Sequence, residues 1–200
     1  MIFNTIFAYL VGSIPTAVWY GKIFHGIDVR QHGSGNAGAT NSLRTLGKKA
    51  GIFVLIVDFL KGFLAVKATN LFSTETDSNL SLIMGLAVIM GHIFPIFAQF
   101  RGGKGVATAI GVLVATFPWA ALGCVLVFII IVFATKYVSF ASLLGALAFP
   151  IQLIFNFWND NADKYAIGFS SMIFIILVVM HRENIERLLK GTESKFGVKK

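Results

Sequence analysis

Seven apolar stretches, near 3–21, 50–69, 79–98, 105–117, 119–135, 139–157 and 165–181, occupy most of a 200-residue chain. Nothing else in the sequence restricts the fold so strongly. A hydrocarbon layer is crossed by about 20 mostly apolar residues, and a backbone exposed to lipid must satisfy its own hydrogen bonds, which a helix does within one segment. Only 13% of the residues are charged and mean hydropathy is +0.78, which excludes a soluble or disordered chain. The expected fold class is an all-α polytopic membrane protein of about seven transmembrane helices with glycine-rich loops on the cytoplasmic side, forming a single domain over 1–200. The fourth stretch is short and ends at Phe117-Pro118-Trp119, so it and the fifth are expected to form a tight hairpin.

Charge placement sets the orientation. Alternate loops carry Lys22, Arg30, Arg44, Lys48 and Lys49, then Arg101 and Lys104, then Lys136, and the tail adds Arg182, Arg187, Lys190, Lys195, Lys199 and Lys200. The other loops hold Lys164 with Glu75, Asp77, Asp160 and Asp163. Positive charge accumulates on the cytoplasmic side, so the N-terminus is expected outside and the C-terminus inside. The first stretch has no basic residue before Lys22 and no small-residue cleavage site, and reads as a retained span. Cys124, the single cysteine, lies in the run CVLVFIIIVF and reads as a packing residue. No cysteine–histidine spacing suits a metal, and no cofactor or nucleic acid is expected.

Three polar islands fall on the basic side. The first, QHGSGNAGATNSLRTLG, formally contains G-x-G-x-x-G at Gly33-Ser34-Gly35-Asn36-Ala37-Gly38, with Asp58 twenty residues on. A dinucleotide fold is excluded because no βαβ pattern surrounds it. Glycines can still turn backbone N–H groups toward one anion, with Asn36, Thr40, Asn41 and Arg44 at the start of the next helix. The second, Phe100-Arg101-Gly102-Gly103-Lys104-Gly105, is no Walker A loop, since Ala98 and Gly105 stand at required positions. Its glycines nevertheless free the backbone around Lys104, a point charge for phosphate. Upstream, His92 reads as a satisfied packing residue. The third island joins Lys136-Tyr137-Val138-Ser139-Phe140-Ala141-Ser142, where Ser139 and Ser142 share a helix face, to His181-Arg182-Glu183-Asn184, where His181 and Asn184 do so. His181 to Glu186 narrowly misses the H-x4-D pattern of soluble-type glycerolipid acyltransferases. Asp58 and Lys61, at i,i+3 inside the second span, read as a structural pair.

No nucleophile triad is visible and no serine lies in a G-x-S-x-G setting. Acyl transfer without a covalent intermediate needs a good leaving group and well-placed donors, and an acyl–phosphate anhydride supplies the former. The segments GSGNAGATNSLR, GHIFPIFAQFRGGKGVAT, KYVSFAS and HRENIERLLKG, in this order, resemble the bacterial acyl-phosphate glycerol-3-phosphate acyltransferases (the PlsY family). The departures are Lys136, where an arginine is common, and the stretch SFAS. The resemblance implies a seven-span enzyme of the bacterial inner membrane that acylates the sn-1 hydroxyl of glycerol 3-phosphate from acyl phosphate. Its product would be lysophosphatidic acid, and a partner enzyme would produce the acyl phosphate. It also implies a polar site of Ser34, Arg44, Lys104, Ser142, His181 and Asn184. Gly33, Ser34, Gly35, Asn36, Gly38, Thr40 and Asn41 are expected to hold the acyl phosphate. Arg44, Lys104, Ser139, Ser142, His181 and Asn184 are expected to take glycerol 3-phosphate. Two roles stay open for His181: general base, or hydrogen-bond partner while the substrate's own phosphate accepts the proton. The rival class is a membrane transporter of organophosphates, which also uses glycine-rich breaks and intramembrane charges.

Overall fold

A computed structural model describes residues 2–69, 78–157 and 163–197. Its regular structure among these residues is all helical, and the chain divides into two compact units, Met1–Thr116 and Phe117–Lys200.

In the first unit the helices are α1 (Ile2–Gly12), α2 (Thr16–His25), α3 (Ala39–Thr45), α4 (Lys48–Lys67), α5 (Ser78–Ile93) and α6 (Val106–Thr116). Short 3₁₀ turns at Val29–Gln31 and Ile96–Ala98 mark the two glycine-rich islands. The first expected span is broken between α1 and α2 at Ser13-Ile14-Pro15. Proline has no N–H to continue the ladder and pushes the residue before it out of the α region. Helices α4 and α6 meet backbone to backbone: a Cβ at Gly62 would collide with the Thr108 carbonyl, and one at Gly111 with the Phe59 carbonyl. Small residues permit this approach, which replaces the hydrophobic drive that lipid cannot supply. Along α4, Ile52, Phe53, Leu55, Ile56, Leu60 and Leu64 are exposed, as suits a lipid-facing side, whereas Asp58 and Lys61 are buried.

The second unit contains α7 (Pro118–Thr135), α8 (Val138–Phe157), α9 (Lys164–Met180) and α10 (Arg182–Leu189). Pro118 opens α7 at its first turn, where a missing N–H costs nothing. Gly145 of α8 lies against the Cys124 carbonyl of α7, and Phe149 meets Phe169 of α9 edge to face, with centroids 6.4 Å apart. The tail returns along α8, where the Phe196 N–H donates to the Lys136 carbonyl at 2.7 Å.

The protein is an all-helical, multi-pass integral membrane protein. Ile2–His25, Asn79–Ala98, Pro118–Thr135 and Val138–Phe155 are long and apolar enough to cross, and α9 with α10 forms a fifth candidate bent by 61°. Of the remaining two expected spans, α4 is 20 residues long but carries Asp58 and Lys61. The other, α6, has only 11 residues. At a rise of about 1.5 Å per residue that reaches roughly half of a hydrocarbon core of about 30 Å. Glu75, Asp77 and Asp160, which belong to the expected outer loops, lie outside the described residues.

Candidate active site

The first island is a loop closed by side chains on its own carbonyls. Asp28 caps the 3₁₀ turn, its Oδ1 accepting from the Arg30 N–H at 3.0 Å and from Arg30 Nε at 2.9 Å, and its Oδ2 from Nη2 at 2.7 Å. The Arg30 guanidinium holds the Asp28 carboxyl down to about 2, against its partial desolvation. Arg30 Nη1 also donates to the Ala98 carbonyl at 2.8 Å, so one guanidinium ties the first island to the second. Asn41, fully buried, is the inner staple: Nδ2 donates to the carbonyls of Val29 (2.8 Å) and His32 (3.0 Å), and Oδ1 accepts from the Ser34 N–H at 2.9 Å. Gly33 and Gly35 have φ of 61° and 72°, the left-handed region that glycine enters without strain.

This geometry narrows two expectations. Asn41 is engaged with the loop backbone, pairing two carbonyls and one N–H of the loop. The Ser34 N–H goes to Asn41 and the Gly35 N–H to the His32 carbonyl at 3.0 Å, so these two amides are committed inside the loop. Gly33, Ser34, Gly35 and Arg44 are exposed, Asn36 and Thr40 half-buried, and Gly38 is the extended residue before α3.

In the second island the chain turns back sharply after Pro95. Gln99 and Phe100 both have φ of 58°, a costly conformation for side-chain-bearing residues that strained functional loops retain. The Phe100 N–H donates to the Pro95 carbonyl at 2.9 Å, the Gly102 N–H to Ile93 at 3.1 Å and the Gly103 N–H to His92 at 3.2 Å. Beneath this turn lies a buried ionic cluster. Lys61 Nζ is 2.9 Å from Asp58 Oδ1 and donates to the Ile14 carbonyl at 3.1 Å, beside the break at Pro15. Thr16 Oγ1 donates to the same carboxylate oxygen at 3.0 Å. The expected structural pair therefore exists, and it anchors the broken first span. His92 departs from its expectation: its Nδ1 faces Asp58 Oδ1 at 3.6 Å, beyond hydrogen-bond length, because Thr16 and Lys61 already occupy that oxygen. A small cleft lined by Ala37, Asp58, Lys61, His92, Gly102 and Gly103 lies between the two islands. Lys104, half-buried, follows immediately.

In the second unit, the polar residues of the third island are organised by Glu193. Its Oε1 accepts from Ser139 Oγ at 2.8 Å and Asn184 Nδ2 at 2.6 Å, and its Oε2 from Arg187 Nε at 2.7 Å. Burial raises the Glu193 pKa, but the hydrogen bonds from Arg187, Asn184 and Ser139 outweigh it and hold the carboxyl below its ordinary value. Ser139 and Asn184 are thus brought together around a carboxylate. Ser142 Oγ donates back to the Val138 carbonyl at 2.9 Å. His181 Nδ1 lies 2.7 Å from the Leu177 carbonyl. A carbonyl can only accept, so Nδ1 carries a proton and donates to it.

Sequence reasoning missed Glu193, the Asp28–Arg30 strap and the approach of His92 to Asp58. The first had a faint signal, an acid directly after a glycine turn in a basic tail. Asp28 and Arg30 stand two residues apart, but the reach of Arg30 to Ala98 across 68 positions and of His92 to Asp58 had no local mark.

The glycine-rich, cationic loop pair lies within a chain whose relatives are known. Residues 2–191 match the family model described as glycerol-3-phosphate acyltransferase. The chain belongs to that family. Among its relatives, the glycerol-3-phosphate acyltransferase of Fusobacterium nucleatum subsp. nucleatum is 44% identical over 191 residues, covering 96% of this chain and 95% of that protein. The Bacillus cytotoxicus acyltransferase is 46% identical over 190 residues, covering 95% and 92%. Crystal structures of PlsY, an integral membrane glycerol 3-phosphate acyltransferase, match in fold. The glycerol 3-phosphate form superposes with a TM-score of 0.87 at 42% identity, covering 98% of this chain and 95% of that one. The lysophosphatidic acid form gives 0.84.

Proposed function

We propose that this acyltransferase moves an acyl group from acyl phosphate to the sn-1 hydroxyl of glycerol 3-phosphate, releasing lysophosphatidic acid and inorganic phosphate for phospholipid biosynthesis. The observation that carries the reading is the strapped loop pair: a glycine loop with two left-handed residues, bound through Arg30 to a second glycine loop that ends in Lys104. Such loops hold phosphate by backbone and point charge.

The substrate hydroxyl oxygen attacks the acyl carbonyl carbon, the bond from that carbon to the phosphate oxygen breaks, and phosphate departs with the electron pair. In this reading the first glycine loop, from Gly33 to Gly38 with Ser34, holds the leaving phosphate. Asn41 supports it from behind. Arg44 and Lys104 clamp the phosphate of glycerol 3-phosphate. Ser142, His181 and Asn184 orient its glycerol end, and Ser139 acts through Glu193. The hydroxyl proton goes either to His181 Nε2 or to the substrate's own phosphate. A His181→Ala variant that keeps near-normal turnover and the wild-type pH–rate profile would eliminate the first route. The whole chain acts as one domain in the bacterial inner membrane, with the N-terminus outside and the site toward the cytoplasm, beside an enzyme that produces acyl phosphate. No cofactor takes part.

The deciding experiment is lysophosphatidic acid formation by purified protein in detergent, from labelled glycerol 3-phosphate with acyl phosphate, acyl-CoA or acyl carrier protein offered separately. Product with acyl phosphate alone is expected, and in the absence of compartments it excludes organophosphate transport as a sufficient account. Product only from a thioester donor would overturn the leaving-group argument.

A further inference from the structure

His92 is buried in α5, carries no role in the reaction as described above, and lies against both islands. A Cβ placed on Gly103 would collide with its Nε2, so the imidazole edge touches the Gly103 backbone directly. On its other side Nδ1 faces Asp58, itself fixed by Lys61 and Thr16. A Cβ on Gly103 would also stand 3.1 Å from the Ala37 carbonyl, within the first glycine loop. Lys104 is the next residue. A buried ring braced by a buried carboxylate thus forms the floor of the turn that presents Lys104.

We infer that His92, braced by Asp58, is a positioning residue that sets where Lys104 meets the phosphate of glycerol 3-phosphate. The inference rests on the reading of Lys104 as part of the phosphate clamp. If the floor is withdrawn, Gly102 and Gly103 settle toward the cleft and the ammonium moves with them. An ion at the wrong height weakens ground-state and transition-state binding alike, which raises KM and spares kcat.

The test measures KM for glycerol 3-phosphate and kcat at saturating donor for His92→Asn, Lys104→Ala and the double variant, with thermal midpoints in the same detergent. Asparagine keeps a polar group near Asp58 while withdrawing the ring edge from Gly103. The expected result for His92→Asn is a KM about tenfold higher with kcat within about twofold. In the Lys104→Ala background it should add nothing, since residues acting through one contact are not additive. Asp58→Asn should raise KM less. An unchanged KM in a folded His92→Asn variant, with Lys104→Ala raising KM, would overturn the inference and leave the clamp intact. An equal rise in both backgrounds would also overturn it. If Lys104→Ala itself left KM unaltered, the clamp would fail and the inference with it. Should His92→Asn not fold, Gly103→Ala strains the same contact from the other side and carries the same expectation.

Discussion

The loop pair of the first unit and the Glu193 cluster of the second both hold polar groups beside apolar helices, but they do so by opposite means. In the loop pair, side chains serve backbone: Asn41 and Arg30 donate to the carbonyls of Val29, His32 and Ala98. In the Glu193 cluster, side chains serve a side chain, with Ser139, Asn184 and Arg187 converging on one carboxylate. The first arrangement fixes a shape, a curved run of glycines with the Ser34 and Gly35 amides turned into the loop. The second fixes an orientation, holding particular functional groups at the start of α10. Phosphate is recognised by many weak donors in a cradle and a hydroxyl by few groups in a set direction, so the two arrangements suit different kinds of ligand group.

The comparison breaks first at Glu193. Glu193→Ala leaves three donors facing an emptied acceptor, and a loss of about 3 kcal/mol is expected from breaking such a network. Thermal unfolding in detergent should show a clear drop in midpoint, with Glu193→Gln lying between the two. A midpoint unaltered by Glu193→Ala would show that the cluster does not hold the tail. Next comes Asn41→Ala, which abandons two carbonyls and one N–H inside the glycine loop and should cost about 2 kcal/mol. Its distinguishing sign is a rise in KM for acyl phosphate that exceeds the rise for glycerol 3-phosphate. Equal rises would dissolve the division of labour between the loops.

Arg30→Lys is a gentler lesion. Lysine keeps the charge but cannot make the fork to Asp28 and still reach Ala98. A loss of about 1 kcal/mol in kcat/KM, or roughly fivefold, is expected. The smallest effect is on acid stability. Glu193 and Asp28 have folded pKa values below their ordinary ones, Asp28 at about 2. Their stabilisation is therefore complete above the ordinary carboxylate range near pH 4 and is lost as pH falls through the folded values. The midpoint should be flat at neutral pH and decline only below about pH 4. Glu193→Gln should flatten that acid limb, and an undiminished decline in the variant would assign it to other carboxylates.

Much of the molecule was readable residue by residue. The apolar runs led to helices because lipid admits little else, and the three islands were found because glycines, serines and cations stand out against leucine and phenylalanine. Arg44 and Lys104 were visible as the cations beside glycines. The break at Pro15 was readable in principle, since a proline two residues after Ser13 interrupts a ladder, but the hydropathy of 3–21 runs through it. Glu193 was not readable as a site organiser, because its partners come from α8 and α10 and the glycine turn before it is only a faint local mark.

The sequence alone determined the class of fold, the membrane and the residue types available for phosphate, which follow from composition and short-range order along the chain, while the reaction family followed from the resemblance of four ordered motifs to a known family. Only the tertiary structure decided which of those polar groups face inward to build the loops. Asn41 holds the loop backbone, Asp58 and Lys61 anchor a broken helix, and His92 rests against Gly103. The reason is that a buried polar group must find its partner wherever packing brings one. That partner is set by contacts across tens of residues, a distance over which the sequence carries no spacing rule.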